Sequence, residues 1–355
     1  MNIALIGPGK VAHLHAKATL QVPEAKLVAI CGRNTAKTDA FAQEYGITGY
    51  SDIYDMIDRE NVDLTIICTP HPAHRDPAVT ALEAGSHVLV EKPLASTLAD
   101  CDAMIEAARR AGRYLGVVSQ RRFYTSCKRM RQAIDDGKIG QPALGTIQLL
   151  GWRDEAYYRS DPWRGTWEGE GGGILVNQAP HQLDLLLWYM GEPTEVYGLW
   201  RNMNHPYIEV DDTAVAVVKF KNGGIGNILV SNSQKPGIYG KVHVHGQNGA
   251  SVGVQTDGGA MFIAGMSSIL EPPVNDLWTI EGETEKLADW KAEDAAFFNQ
   301  IDSTTYFFTE QIADFCAAIR EGRPPLITGE DGRRVVALFT AIYQSTEIDQ
   351  VVKVS

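Results

Sequence analysis

The residues of this 355-residue chain whose types and spacing suit chemistry fall into four segments. Gly7-Pro8-Gly9-Lys10-Val11-Ala12 fits G-x-G-x-x-A between a short apolar run and a helix-compatible stretch. In that pattern the first glycine makes the tight turn, the second lets backbone approach a pyrophosphate, and the small sixth residue lets helix pack on strand. Helix N–H groups then face the phosphates. Thr69-Pro70-His71-Pro72-Ala73-His74 and Glu91-Lys92-Pro93 each follow a β-branched apolar run. Ligands of open α/β sheets lie outside the strands' carboxyl ends, so Thr69, Pro70, His71, His74, Glu91 and Lys92 are expected to face the same dinucleotide. An X-Pro turn at Lys92–Pro93 is expected to be cis, aiming the lysine back over the sheet end. The fourth segment is Gly171-Gly-Gly-Ile-Leu-Val-Asn177-Gln178-Ala-Pro-His181-Gln-Leu-Asp184. A helix starting near Gln178 places His181 and Asp184 at i, i+3, with Asn177 pointing off its start.

Just upstream stand Trp152, Tyr157, Tyr158, Trp163 and Trp167, five aromatics where the overall 8% predicts about one. Arg153, Arg159 and Arg164 are interleaved with them. Aromatic faces suit the C–H face of a sugar ring, whose hydroxyls need donors, and the interleaved charges argue against a buried core stripe. Other patterns carry less. Cys68, His71 and His74 lie on one loop with no partner cluster, so no metal is expected. Tyr124 and Lys128 match Tyr-x-x-x-Lys, but about half a match is expected by chance with 13 tyrosines, and it falls after the nucleotide-binding unit.

Elements to position these residues can be read from periodicity. Apolar runs at 2–6, 26–31, 64–69, 87–91 and 114–118 lack clean alternation, as parallel strands buried on both faces do. Helix-compatible stretches at 10–20, 35–45, 73–84 and 96–111 alternate with them, the last two closed by Gly85 and Gly112. The implied fold is α/β, a Rossmann dinucleotide-binding domain over 1–121. From 122 to 355 the texture is that of an α+β domain with an open, mainly antiparallel sheet. Its strands are expected at 143–152, 195–202, 213–221, 226–233 and 241–246. Its helices are expected at 124–136, 178–190, 307–320 and 330–345. Asn222-Gly223 is a hairpin signal between two of those strands. The stretch 255–302 lacks periodicity and reads as an excursion or lid.

Composition bounds the function. Apolar residues at 44% and charged residues at 21% are those of a globular protein. A net charge of −12 disfavours nucleic acid as a partner. No apolar run spans a bilayer, and the first residues lack a basic n-region, so no secretory leader is expected. Five scattered cysteines without C-x-x-C fit reduced thiols in a cytoplasmic protein.

Five motifs in order resemble the glucose-fructose oxidoreductase / inositol dehydrogenase / rhizopine catabolism (Gfo/Idh/MocA) family. They are the glycine turn, Thr69-Pro70 with His74, Glu91-Lys92-Pro93, Gly-Gly-Gly to Asn177-x-x-x-His181, and Asp314-Phe315 through Arg320-Glu321-Gly322-Arg323-Pro324 to Gly329-Glu330-Asp331-Gly332. The resemblance runs to about residue 347 and implies oxidation of a secondary alcohol of a sugar or cyclitol by a nicotinamide cofactor. It makes Lys92 the group that binds the reacting hydroxyl and His181 the general base. A histidine's ordinary pKa of ~6.5 suits that role. The family's usual Asp four residues before the histidine is Asn177 here, which removes a second carboxylate base. The phrasing Trp163-Arg164-Gly165-Thr166-Trp167 to His181 is similar to members acting at sugar C3.

On this reading Gly7, Pro8, Gly9, Lys10, Val11, Gly32, Arg33, Asn34 and Gln120 join the two turns as cofactor contacts. Arg121, Trp152, Arg153, Tyr158, Trp163, Arg164, Asn177, Gln178 and Asp184 are expected to meet substrate. Where NAD-using members carry an acid after the second strand, this chain has Gly32-Arg33-Asn34, so NADP is favoured over NAD. The expected assembly is a homodimer or homotetramer through the open sheet. The alternatives are a nucleotide-sugar dehydrogenase, a redox-neutral enzyme using transient oxidation, and a non-catalytic dinucleotide sensor.

Overall fold

A computed structural model of the chain describes residues 1–258 and 271–355. In chain order it contains β1 (Asn2–Ile6), α1 (Lys10–Thr19), β2 (Lys26–Cys31), α2 (Thr35–Tyr45), β3 (Thr48–Tyr50), α3 (Ile53–Glu60), β4 (Leu64–Ile67), α4 (Arg75–Glu83), β5 (His87–Val90), α5 (Leu98–Ala111) and β6 (Leu115–Val117). There follow α6 (Thr125–Asp135), β7 (Pro142–Leu150), three short helices α7 (Glu155–Arg159), α8 (Trp167–Glu170) and α9 (Ile174–Asn177), then α10 (Pro180–Met190). Strands β8 (Pro193–Arg201), β9 (Thr213–Phe220), β10 (Ile225–Ser231), β11 (Tyr239–Gly246), β12 (Ser251–Gly258) and β13 (Val274–Trp278) precede α11 (Lys286–Phe298), α12 (Tyr306–Glu321), α13 (Gly329–Ile348) and β14 (Val352–Lys353).

These elements form two compact units, Met1–Gln120 with Thr305–Val336, and Arg121–Thr304 with Ala337–Ser355. The first holds a six-stranded parallel sheet in the order β3-β2-β1-β4-β5-β6. Its order reverses beside β1, the switch point at which such sheets bind ligands. Residues 305–336, expected in the second domain, belong here instead. Phe308, Ile312, Phe315 and Cys316 of α12 join the core made by Ile3, Leu5, Ile30, Leu64, Ile66 and Leu89. Gln311 donates to Val117 O and accepts from Ser119 N, so α12 satisfies the open edge at β6. A long-range edge contact of this kind leaves no mark in local periodicity.

The second unit holds an eight-stranded sheet, β13-β12-β11-β7-β10-β9-β8-β14. Only the β7–β10 pair is parallel; the other six are antiparallel. The Asn222-Gly223 hairpin joins β9 to β10, with Gly223 at φ 85°. Helix α10, buried almost all round, packs on β7 and β11. Residues 255–302 are not an excursion throughout: β12 runs on to Gly258 and β13 and α11 follow. The reading of 259–270 lies outside the described residues. Neither β12 nor β13 is among the expected strands; a short edge strand such as Val274–Trp278 carries little alternation.

Candidate active site

In the first unit, turns leave the carboxyl ends of β1, β4 and β5, three neighbouring strands. Gly7 holds φ 97°, and a Cβ there would crowd Thr69 and the Cys68 backbone, so only glycine closes this turn. Gly9 caps α1 with no side-chain hydrogen bond, and Pro8, Lys10 and Val11 complete the loop. Such a helix start offers its orphan N–H groups to an anion. After β2, a Cβ on Gly32 would stand 2.6 Å from Thr38 Oγ1 and 2.7 Å from Pro8 Cδ, so no acid fits at this position. Asn34 is turned to a different task from the one expected, its side chain accepting from Lys37 N at 3.0 Å as the cap of α2. Arg33 and Lys37 are both exposed beside it. Asp52, the acid near the end of β2, caps α3.

The β4 and β5 turns are tied together by His74. Its Nε2 lies 2.9 Å from Thr69 O, and its Nδ1 lies 3.0 Å from Pro93 O and 3.2 Å from Leu94 O. The ring is fully buried, which lowers its pKa. His74 is therefore a strut between the turns rather than the cofactor contact expected of it. Pro70 leads into a 3-10 turn, and the buried His71 ring stands 6.0 Å from His74. Glu91 is likewise turned inward, accepting from Lys92 N and pairing with His15 Nε2 at 2.8 Å. Burial works to raise its pKa, but the His15 hydrogen bond and the Lys92 charge outweigh it and hold the carboxyl below its ordinary value. Lys92 is half-buried on this framework, and the Lys92–Pro93 peptide is cis as expected. Gln120 is buried, and its Oε1 has no hydrogen-bond partner among the described residues, an acceptor that a ligand amide would satisfy. The uncapped glycine turn and this orphaned oxygen fit a nicotinamide dinucleotide.

In the second unit the glycine run is a packing requirement. A Cβ on Gly173 would overlap the Asp211 carbonyl oxygen, and one on Gly172 would overlap the Tyr343 hydroxyl. The Asp211 carboxylate accepts from Gly173 N at 2.7 Å, Leu175 N at 3.0 Å and Tyr343 Oη at 2.6 Å, capping α9. This fixes Asn177 at the end of α9, and α10 opens at Pro180 with His181 buried in its first turn. The helix thus starts two residues later than the Gln178 expected.

Tyr157 joins this segment to the aromatic one. Its hydroxyl accepts from Arg164 Nη1 at 2.6 Å, Gln178 Nε2 at 2.9 Å and Asn177 Nδ2 at 3.2 Å. Asn177 Nδ2 also donates to Glu170, whose second oxygen accepts from Gly165 N at 2.6 Å. Burial pushes the Glu170 carboxyl up to about 7. Asn232 Nδ2 donates to Gln178 Oε1 at 2.9 Å. The Arg164 guanidinium lies 4.4 Å from both the Tyr157 and Trp163 ring centres, and Arg153 lies 5.0 Å from Tyr157. Trp152 is half-buried, with Lys235 Nζ 5.4 Å from its ring centre.

Three expected substrate contacts have other work. Asp184 pairs with Arg122 through two bonds of 2.8 and 2.6 Å, both side chains buried. Arg121 is ion-paired with Asp257 and donates to Thr256. Tyr158 belongs to a small core with Ile208 and Val210. Buried charges are paired in this way because an isolated one is costly. The aromatic density hid which tyrosine was polar, since Tyr157 and Tyr158 are adjacent. Sequence reasoning also missed Glu170, Asp211 and Asn232; the acidic pair Asp211-Asp212 ahead of β9 was the available signal. Tyr124 is fully buried, in keeping with setting the Tyr-x-x-x-Lys match aside. Among the described residues no group of three or more His, Cys, Asp or Glu is placed to hold a metal ion, and no helix is long and apolar enough to cross a membrane.

Comparison with known proteins agrees with this architecture. Residues 1–119 match the model of the oxidoreductase family with an NAD-binding Rossmann fold, and residues 127–252 match the GFO/IDH/MocA C-terminal domain. Myo-inositol 2-dehydrogenase of Thermotoga maritima is 28% identical, the alignment covering 99% of this chain and 98% of that one. The NAD(+)-dependent scyllo-inositol 2-dehydrogenase of Bacillus subtilis is 30% identical over 70% of this chain and 72% of its own. The structure of the WlbA dehydrogenase from Bordetella pertussis, in complex with NADH and UDP-GlcNAcA, superposes with a TM-score of 0.86. It is 27% identical, covering 100% of this chain and 98% of that one. The protein is an oxidoreductase that belongs to the GFO/IDH/MocA family.

Proposed function

We propose that the protein oxidises a secondary hydroxyl of a sugar or glycoside, at C3, with Lys92 binding the reacting hydroxyl and His181 accepting its proton. The observation that carries this reading is the Tyr157 hydroxyl, where Arg164, Asn177 and Gln178 converge one helical turn ahead of His181. Polar groups set among Trp152, Tyr157 and Trp163 give a sugar both ring faces and donors. The Lys92 ammonium stabilises the alkoxide as the proton leaves, which removes the need for a metal. Asn177 holds its place but cannot take a proton, so the base is His181. Bound at the glycine turn, a nicotinamide dinucleotide supplies the two-electron acceptor. Gly7, Gly9 and Gln120 bind it, and Arg33, with Lys37 nearby and no acid at Gly32, favours a 2′-phosphate.

Absorbance at 340 nm with hexoses, glycosides, cyclitols and nucleotide sugars tests the reading. Reduction of NADP by a sugar, with product oxidised at C3, is expected; nucleotide binding without turnover of any of them makes the protein a sensor. The likeness to WlbA bound to UDP-GlcNAcA supports a nucleotide sugar as the second reading, and the same panel separates the two. Buried thiols at all five cysteines suit a reducing, cytoplasmic setting, and assembly is read as a homodimer or homotetramer.

A further inference from the structure

The aromatic segment of the second unit is also a cationic one. Arg164 and Arg153 both lie over the Tyr157 ring, at 4.4 and 5.0 Å from its centre, and Lys235 lies over the Trp152 ring at 5.4 Å. A guanidinium stacked on a ring keeps its N–H edge in its own plane, where it matches a carboxylate or phosphate. Arg164 uses Nη1 on Tyr157 Oη at 2.6 Å and Nε on Asp161 at 3.4 Å, a long pairing with a part-exposed acid. Its Nη2 makes no hydrogen bond among the described residues, and its side chain is 14% exposed, neither sealed in the core nor freely solvated. The other acid near it, Glu170, is turned to Asn177 and Gly165 N. Arg153 is held from behind, its carbonyl accepting from the fully buried His205, which is paired in turn with Asp212 at 2.6 Å. Neutral hydroxyls do not call for three cations on the rings of one aromatic segment; an oxyanion does.

We propose that the sugar carries an oxyanion, a carboxylate or a phosphate, and that Arg164 receives it with Arg153 and Lys235 alongside. This rests on the reading of the Tyr157 cluster as the substrate site. The test compares three sugars of one ring configuration: the neutral hexoside, its uronic acid and its 6-phosphate. Binding is followed by intrinsic tryptophan fluorescence in the presence of NADP, and turnover separately at 340 nm. Tighter binding of the uronic acid identifies a carboxylate as the group received, and tighter binding of the phosphate identifies phosphate. Arg164→Gln is expected to weaken the charged sugar roughly tenfold to a hundredfold more than the neutral one. Lys235→Gln, on an exposed side chain, is expected to weaken the charged sugar about threefold and to lessen its salt dependence. Equal binding of neutral and charged sugars, or equal losses for both in Arg164→Gln, overturns the proposal. Selective binding of the charged sugar without any turnover supports the anion site and instead overturns the reading that a sugar of this configuration is oxidised there.

Discussion

At the scale of single residues, the chain separates groups that hold the site from groups that act in it. His74, Glu91, Asp184 and Arg121 all have the residue types of chemistry, yet each is committed to a buried strut or ion pair. Lys92 and His181 are the pair proposed to act. Lys92→Ala and His181→Ala are each expected to lower kcat by about 10²-fold or more. Cofactor binding, followed by NADPH fluorescence, is expected to survive both; near-normal turnover in His181→Ala removes it as the base. Arg33→Ala is expected to weaken NADPH while leaving NADH nearly unchanged, and an unaltered ratio between them defeats the 2′-phosphate reading. Glu170 gives a pH signature. Its carboxyl is raised to about 7 by burial, so its protonated form favours the fold. That contribution is complete below an unfolded pKa of ~4.3 and is lost as pH rises through 7. Glu170→Gln cannot ionise, so the Tm of the variant relative to wild type is expected to climb between pH 5 and pH 8. A constant difference across that range refutes it.

At the scale of elements, the site depends on where short helices start. The turn from α8 into α9 is possible only because Gly172 and Gly173 admit Tyr343 and the Asp211 backbone. Asp211 then holds the first N–H groups of α9 and so sets Asn177. Gly173→Ala places a methyl group against backbone, which cannot move aside as a side chain can. A loss of about 2–4 kcal/mol is expected from chemical denaturation, with Asn177 and Tyr157 displaced and KM raised. Wild-type stability in Gly173→Ala would mean the turn relaxes freely.

At the scale of the whole molecule, the described residues leave apolar side chains exposed on one face of the second unit's sheet. β9 alternates strictly, Ala214, Ala216, Val218 and Phe220 inward and Val215 and Val217 outward. Opposite the outward pair stand Leu199 and Tyr197 of β8, and Ile225 of β10 faces Leu144 of β7. All six are exposed. An apolar face of this kind on a sheet with a registered, repeated pattern suits a second copy of the chain. Light scattering at micromolar concentration is expected to give a dimer or tetramer, and Val215→Asp with Val217→Asp to give a monomer. A monomeric wild type counts against assembly through this sheet.

Local patterns were legible in the amino-acid order by itself. Parallel strands buried on both faces read as unbroken apolar runs, half-buried strands as alternation, and helix ends as glycine, because each follows from the period of one element. The glycine turn before α1, Glu91-Lys92-Pro93 and the approach to His181 were found for the same reason, since each is a short contiguous string. Only the tertiary structure decided what meets across long separations. It put α12 on the edge of β6, 192 residues away in the Ser119–Gln311 bond, and turned Asp184 to Arg122 and Arg121 to Asp257. It also chose Tyr157 over Tyr158 as the hydrogen-bond centre for Arg164, Asn177 and Gln178. Those choices turn on which charges are paired once water is excluded, a quantity that belongs to the packed molecule and to no segment of it.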